Sequence, residues 1–123
     1  MKNIFLSALF ILIIFSVSQF IFEPTYLYYE IWWLDIPMHI LGGLSFALLF
    51  ISIFNYQKKK ITFAKLVLVV MMVGILWEIY EYDVHIFFGR DWNGIADTIK
   101  DLFDDFLGVS FVYLFNKKVF SKN

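Results

Sequence analysis

Four long apolar segments follow one another along the chain, and short polar stretches separate them. The segments cover residues 4–22, 36–54, 62–82 and 95–115. At a rise of about 1.5 Å per residue, each segment is long enough to cross a hydrocarbon core of about 30 Å. The pattern therefore predicts an all-α fold. We expect a polytopic membrane helix bundle with four transmembrane helices, formed by one integral membrane domain over residues 1–123.

The first apolar segment allows two interpretations. Lys2 precedes it, and Ser16-Val17-Ser18 has the small-x-small pattern of a signal-peptide cleavage site. The apolar run continues past that site to Phe22, however, and cleavage would leave a smaller bundle. We therefore interpret the segment as a retained helix that ends at Glu23-Pro24.

Aromatic residues with a polar edge are concentrated in the stretch that follows. They are Tyr26, Tyr28, Tyr29, Trp32 and Trp33. Such rings collect at the boundary between membrane and water. We predict that residues 25–34 form an interfacial segment along the membrane surface; the alternative is a packed loop.

Local signals place the starts of the middle helices and the loop after them. Asp35 fits the N-cap of the second helix, Pro37 fits its first turn, and Thr62 fits the N-cap of the third. The Gly42-Gly43 pair would let another helix approach closely. Residues 83–94 read as a polar loop.

Charge is divided unevenly between the two ends of the predicted bundle. With four spans, one end carries most of the lysines: Lys2, Lys58, Lys59, Lys60, Lys65, Lys117, Lys118 and Lys122. All eleven acidic residues fall at the other end. Because basic loops stay cytoplasmic, we expect an inner cell membrane protein with both termini in the cytoplasm. Membrane lipids are the expected partners, and nucleic acid is not, since no basic patch is present.

The fourth segment carries an acidic stripe. At 100° per residue, one helix face collects Asp97, Asp101, Asp104, Asp105 and Gly108. A carboxylate that faces lipid near the centre of a helix costs about 2.5 kcal/mol or more. The stripe should therefore face other helices or a water-filled cavity.

Two further helices bring polar residues to the same end. Asp35 and His39 lie on one side of the second helix, while Glu78, Glu81 and Tyr82 lie near the end of the third. Carboxylates with one imidazole suit a divalent ion such as Mg²⁺, Mn²⁺, Ca²⁺ or Zn²⁺. The candidate metal ligands are His39, Glu78, Glu81, Asp97, Asp101 and Asp105, and the secondary candidates are Asp35, Asp104 and Tyr82. We expect His85, Asp83 and Asp91 to be solvated loop residues.

Three functions are compatible with this pattern. The first is an outward-facing pocket that binds a divalent cation and the headgroup of a lipid or envelope precursor. The second is a proton- or ion-coupled transporter component, which would need a homo-oligomer because four short helices are few. The third is a structural or accessory membrane subunit. No nucleophile paired with a base and no nucleotide motif is present, so catalysis is conceivable only through a metal or acid–base carboxylates.

The spacing of these residues resembles a known group. The motifs are Asp35-x-x-x-His39 with Gly42-Gly43, Trp77-Glu78-x-x-Glu81, and Asp97-Thr98-x-x-Asp101-x-x-x-Asp105-x-x-Gly108. Together they resemble the YjdF-like bacterial inner-membrane proteins and, more distantly, the VanZ-like family. Ile36 replaces a usual lysine of VanZ-like proteins, and Glu81 and Asp105 stand where those often carry Gln and Asn. The resemblance implies a shared acidic–His pocket and supplies no reaction.

Overall fold

The computed structural model describes residues 1–117, and these form five α-helices. They are α1 (Lys2–Val17), α2 (Leu27–Glu30), α3 (Asp35–Tyr56), α4 (Phe63–Phe87) and α5 (Ile95–Phe115). A π-helical turn, Ser18–Phe22, continues α1. No strand occurs in the described part of the chain, so the all-α prediction is confirmed.

Three helical segments are long and apolar enough to cross a membrane. They are Lys2–Phe22, Asp35–Tyr56 and Phe63–Phe87. α5 has a comparable length of 21 residues, but five charged residues lie in its first half. Membrane-capable helices are thus confirmed. Whether α5 can form a fourth span depends on whether its charged side chains face the lipid or the interior of the bundle.

Small residues determine how closely α3 and α5 pack. A Cβ atom added to Gly43 would overlap the backbone of Asp105, and one added to Gly108 would overlap the backbone of Ile40 and Leu44. The two backbones are therefore in direct contact, as the Gly42-Gly43 pair predicted. α4 packs against α5 and α3, whereas α1 packs mainly against α3.

The bundle has an apolar end and a polar end. Its hydrophobic core consists of Ala47, Ile51, Ile61, Leu66, Val70, Val109 and Val112. Near this core the rings of Phe63 and Tyr113 are in contact, tilted by 40° with centroids 4.4 Å apart, and Lys2 lies near Tyr56. We call this the basic end, because the turn with Lys58 is there; Lys118 and Lys122 lie outside the described residues. The buried acidic residues lie at the opposite, acidic end.

The helix caps confirm one prediction and correct another. Thr62 is the N-cap of α4, and its side chain accepts a hydrogen bond of 3.3 Å from the Lys65 backbone N–H. Asp35 is not a cap: it lies inside the first turn of α3, after Leu34. Its carboxylate instead pairs with Lys100 at 2.9 Å and lies 3.5 Å from His39, because the lysine ammonium attracts it more strongly than a backbone N–H.

α4 is longer than the sequence indicated. It ends at Phe87 rather than at residue 82, so the loop begins at Phe88. His85 is consequently buried, and its Nδ1 lies 2.8 Å from the carbonyl oxygen of Glu81. The prediction that His85 is a solvated loop residue is wrong, because α4 extends past this position and the side chain is buried. Asp91 is an exposed loop residue, as expected, whereas Asp83 is exposed but lies within α4 rather than in the loop.

The aromatic stretch before α3 is partly helical. Trp32 and Trp33 are exposed, and α2 occupies only four residues of the predicted interfacial segment. Tyr28 turns inward: its hydroxyl lies 2.6 Å from the Ser18 hydroxyl, and its ring meets Phe22 edge-on. The segment therefore also closes the acidic end of the bundle.

Candidate functional site

The acidic stripe of α5 faces the interior of the bundle. Asp101 is 2% exposed, Asp104 is 5% exposed and Asp105 is buried as well. The exposed residues of α5 are all apolar: Ile95, Ala96, Ile99, Phe103, Phe106, Phe111, Leu114 and Phe115. This division agrees with the stripe that the sequence predicted.

His39 lies among three carboxylates. Its Nε2 is 3.5 Å from Asp35 Oδ1 and 3.6 Å from Asp101 Oδ2, and its Nδ1 is 3.4 Å from Asp105 Oδ1. These distances exceed the range of about 2.7–3.2 Å for a hydrogen bond. The two distances from Nε2 are close to the separation of about 3.4 Å between two ligands of one tetrahedral metal ion.

Asp105 occupies a space that Gly74 leaves open. A Cβ at Gly74 would lie 2.6 Å from Asp105 Oδ2, whereas a Cβ at Gly42 would lie 3.8 Å from Oδ1, which is an ordinary contact. The absence of a side chain at Gly74 of α4 thus lets this carboxylate reach His39 from α5. A carboxylate behind one ring nitrogen is the usual way in which a histidine ligand is oriented toward a metal.

Lys100 neutralises an outer group of carboxylates. Its Nζ is 2.9 Å from Asp35 Oδ2, 3.7 Å from Asp104 Oδ2 and 3.9 Å from Asp97 Oδ1, and it also contacts Asp101. Asp35, Asp97 and Asp101 are close enough to hold an ion together, but the lysine ammonium already lies beside all three. This outer group therefore has its own cation.

A second, inner group has the geometry of a metal site. Its members are His39, Glu78, Glu81 and Asp101, and one ligand atom of each lies within 4.8 Å of the others. Ligands on opposite sides of one ion are about 4–5 Å apart. Glu78 and Glu81 form no ion pair with Lys or Arg within residues 1–117.

Glu78 carries an unusual oxygen. The residue is 9% exposed; its Oε2 accepts a 2.9 Å hydrogen bond from Thr98, while Oε1 has no hydrogen-bond partner in the described chain. A buried carboxylate oxygen without a partner loses its hydration without compensation. The inner group thus contains a hydrogen-bond acceptor, Glu78 Oε1, that has no partner among the described residues. Thr98 belongs to the sequence motif of α5 but was not among the predicted ligands, although it lies on the same helix face as Asp101 and Asp105.

The structure does not bring all predicted ligands together. His39, Glu78, Glu81 and Asp101 converge, whereas Asp97 belongs to the outer group and Asp105 stands behind His39. Asp104, a secondary candidate, is buried near Lys100 and outside the inner group, and its Oδ2 has no hydrogen-bond partner among residues 1–117. Tyr82 is exposed and packs edge-on against Trp92, away from the cluster, because α4 turns this position outward.

A cavity of about 300 Å³ adjoins the inner group, between α1, α3 and α4. Polar residues line one part of it: Ser18, Tyr28, Asp35, His39, Glu81 and Asp105. Burial raises the pKa of Tyr28 to about 12, so its hydroxyl stays protonated at neutral pH. Leu76 and Tyr80 line the cavity and are also exposed, so the cavity reaches the outside of the bundle.

A family profile described as "Predicted membrane protein (DUF2238)" matches residues 2–122. The chain belongs to the DUF2238 family. No curated protein and no solved structure gives a match. Membership confirms a membrane protein family for the whole helical bundle, while the similarity to YjdF-like and VanZ-like proteins stays a resemblance.

Proposed function

We propose that this membrane protein binds a divalent cation in the inner group and a membrane lipid headgroup beside it. The observation that carries the proposal is the convergence of His39, Glu78, Glu81 and Asp101 within 4.8 Å. The residues come from three helices, so the fold rather than one local motif assembles them. The unpartnered Glu78 Oε1 supplies a second, independent reason to expect a ligand.

The charge of the cluster favours a cation. Seven carboxylates surround one lysine and one imidazole: Asp35, Glu78, Glu81, Asp97, Asp101, Asp104 and Asp105. Like charges in a partly dry site cannot all remain ionised unless they share protons or a cation. Within residues 1–117 Lys100 contacts Asp101 but neither Glu78 nor Glu81, so a divalent ion is the natural counterion of the inner group.

The donor set narrows the choice of metal. Carboxylate oxygens suit Mg²⁺, Ca²⁺ and Mn²⁺, while an imidazole nitrogen suits Zn²⁺ and other transition ions. Three carboxylates with one histidine therefore favour Mn²⁺ or Zn²⁺. Asp105 would orient His39 through Nδ1 and leave Nε2 free to bind the ion.

We further propose that α5 spans the membrane as a fourth helix. Its exposed residues are all apolar, and Asp101, Asp104 and Asp105 are buried against the other helices, while Lys100 and Asp97 near its start are about one third exposed. The basic end would then face the cytoplasm and the acidic end the opposite side, following the distribution of lysines. In this arrangement the inner group lies about 9 Å along α5 from its first residue.

The alternatives receive less support from the geometry. A transporter component needs a polar path to the basic end, yet the described residues there form the packed apolar core around Val70 and Val109. A purely structural role would leave the carboxylates to share protons. It predicts that the purified protein has the same thermal stability in a chelator as in Mn²⁺.

We expect that protein purified in mild detergent contains one Mn²⁺ or Zn²⁺ per chain by elemental analysis. Glu78→Gln should weaken Mn²⁺ binding about tenfold, because it removes one charged ligand and keeps the side-chain volume. Titration with Mn²⁺ after chelator treatment measures this affinity.

Asp83→Asn is the matched control, since Asp83 is an exposed carboxylate on the same helix. Its Mn²⁺ affinity should equal that of the unmodified protein. An unmodified protein with no divalent ion above background, or equal affinities in Glu78→Gln and Asp83→Asn, would contradict the proposal.

A further inference from the structure

The cavity beside the inner group is polar at one end and apolar along the rest. Next to the polar lining come Ile11 and Ile14 of α1, Phe46 of α3, and Val73, Leu76 and Trp77 of α4. Its volume of about 300 Å³ is at the lower limit for a ligand pocket. A molecule with a polar head and a hydrocarbon chain matches this division.

α1 closes the cavity loosely. None of the residues of Lys2–Val17 is buried, although the helix is strongly apolar. One contact beside the cavity connects α1 with α4, where the rings of Phe15 and Trp77 meet edge-on at 5.8 Å. A second comes from the π-helical turn after α1, where Gln19 Oε1 accepts a 3.1 Å hydrogen bond from Tyr80. Because the cavity reaches the exterior at Leu76 and Tyr80, a lipid chain can enter from the side.

The charge of the polar end decides which headgroup fits. Even with a divalent ion and Lys100 in place, the carboxylates outnumber the positive charges. The anionic head of phosphatidylglycerol would therefore be repelled by the excess negative charge of these carboxylates. A primary ammonium would instead neutralise charge and donate hydrogen bonds to the oxygens that line this end. A quaternary ammonium has no N–H to donate.

We infer that the cavity holds one chain of an amine-headed phospholipid, with the primary ammonium directed to the carboxylates around His39. The inference names the lipid class for the proposed function and rests on it through Glu81 and His39, which the cavity and the inner group share. The ammonium reaches Asp35, Glu81 or Asp105, which line the cavity.

The test uses full-length protein in nanodiscs of equal parts phosphatidylethanolamine, phosphatidylglycerol and phosphatidylcholine with identical oleoyl chains. Lipids that remain bound after gentle detergent extraction are quantified by mass spectrometry. We expect phosphatidylethanolamine to be enriched about fivefold over both other lipids. Equal retention of the three lipids, or enrichment of either other lipid, would overturn the inference.

Matched variants test whether the apolar part of the cavity holds the acyl chain of the lipid. Ile14→Trp fills the cavity and should abolish the enrichment, whereas Ile13→Trp, at an exposed position one residue earlier, should retain it. Ile11→Trp and its exposed neighbour Leu12→Trp form a second pair in case one variant does not fold. Equal enrichment within both pairs would also refute the inference.

Two further experiments ask whether the amine must belong to a lipid, and whether lipid selection depends on the metal ion. Soluble phosphoethanolamine should compete about a hundredfold more weakly than the lipid, and equal competition would remove any role for the apolar cavity. The retention assay is repeated in chelator and in Mn²⁺. Mn²⁺ binding without lipid selection rejects this inference alone, while lipid selection without Mn²⁺ binding rejects the metal site alone.

Discussion

Replacing Gly43 by alanine is expected to destabilise the protein by about 3 kcal/mol, because the new methyl group overlaps the backbone of Asp105. Backbone atoms cannot rotate away as a flexible side chain can, so α3 and α5 must separate. Separation would also displace His39 from the carboxylates of α5. Thermal unfolding in detergent, followed by tryptophan fluorescence, should show a melting temperature about 10 °C lower.

Gly42 provides the control on the adjacent residue. A Cβ there meets only Asp105 Oδ1, at 3.8 Å, which is an ordinary contact. Gly42→Ala should therefore keep the melting temperature within about 2 °C of the unmodified protein. If Gly43→Ala and Gly42→Ala have the same melting temperature, the close contact between α3 and α5 does not exist as described.

Changing Asp101 to asparagine should reduce Mn²⁺ affinity at least about a hundredfold, or about 2.8 kcal/mol. Asp101 belongs to both groups of carboxylates and also contacts Lys100, so no other residue connects the two groups in this way. The charge is lost while the shape is nearly conserved. The affinity is measured by titrating chelator-treated protein with Mn²⁺.

Asp91→Asn is a suitable control for this change, because Asp91 is exposed in the loop before α5. Elution as a single symmetrical peak in size-exclusion chromatography would show that Asp101→Asn is folded. An Asp101→Asn variant that is folded and binds Mn²⁺ as tightly as Asp91→Asn would exclude Asp101 as a ligand.

Helical periodicity predicted α5 and its buried face well. The spacing of Asp101, Asp105 and Gly108 requires one face, and the cost of exposing acids to lipid requires that this face turn inward. The start of α4 at Thr62 was also predictable, since its capping hydroxyl is a local signal. Both conclusions depend on residues close together in the chain.

Other features depend on contacts between distant residues. Asp35 has the sequence context of a cap, yet its partner Lys100 lies 65 positions later. Tyr28 turns inward because its hydroxyl contacts that of Ser18 in the π-helical turn. The periodicity of the sequence does not indicate this contact. The extension of α4 through His85 was missed because its charged and polar residues resembled a loop. Which carboxylates are ligands and which are neighbours likewise follows only from packing.

Pulsed electron paramagnetic resonance of Mn²⁺ bound to the full chain tests the central claim most directly. The chain has two histidines, and only His39 belongs to the inner group. We expect the electron spin echo to show coupling to an imidazole nitrogen that disappears in His39→Gln and persists in His85→Gln. Bound Mn²⁺ without nitrogen coupling, or coupling that survives in His39→Gln, would contradict a cation held by His39 among these carboxylates.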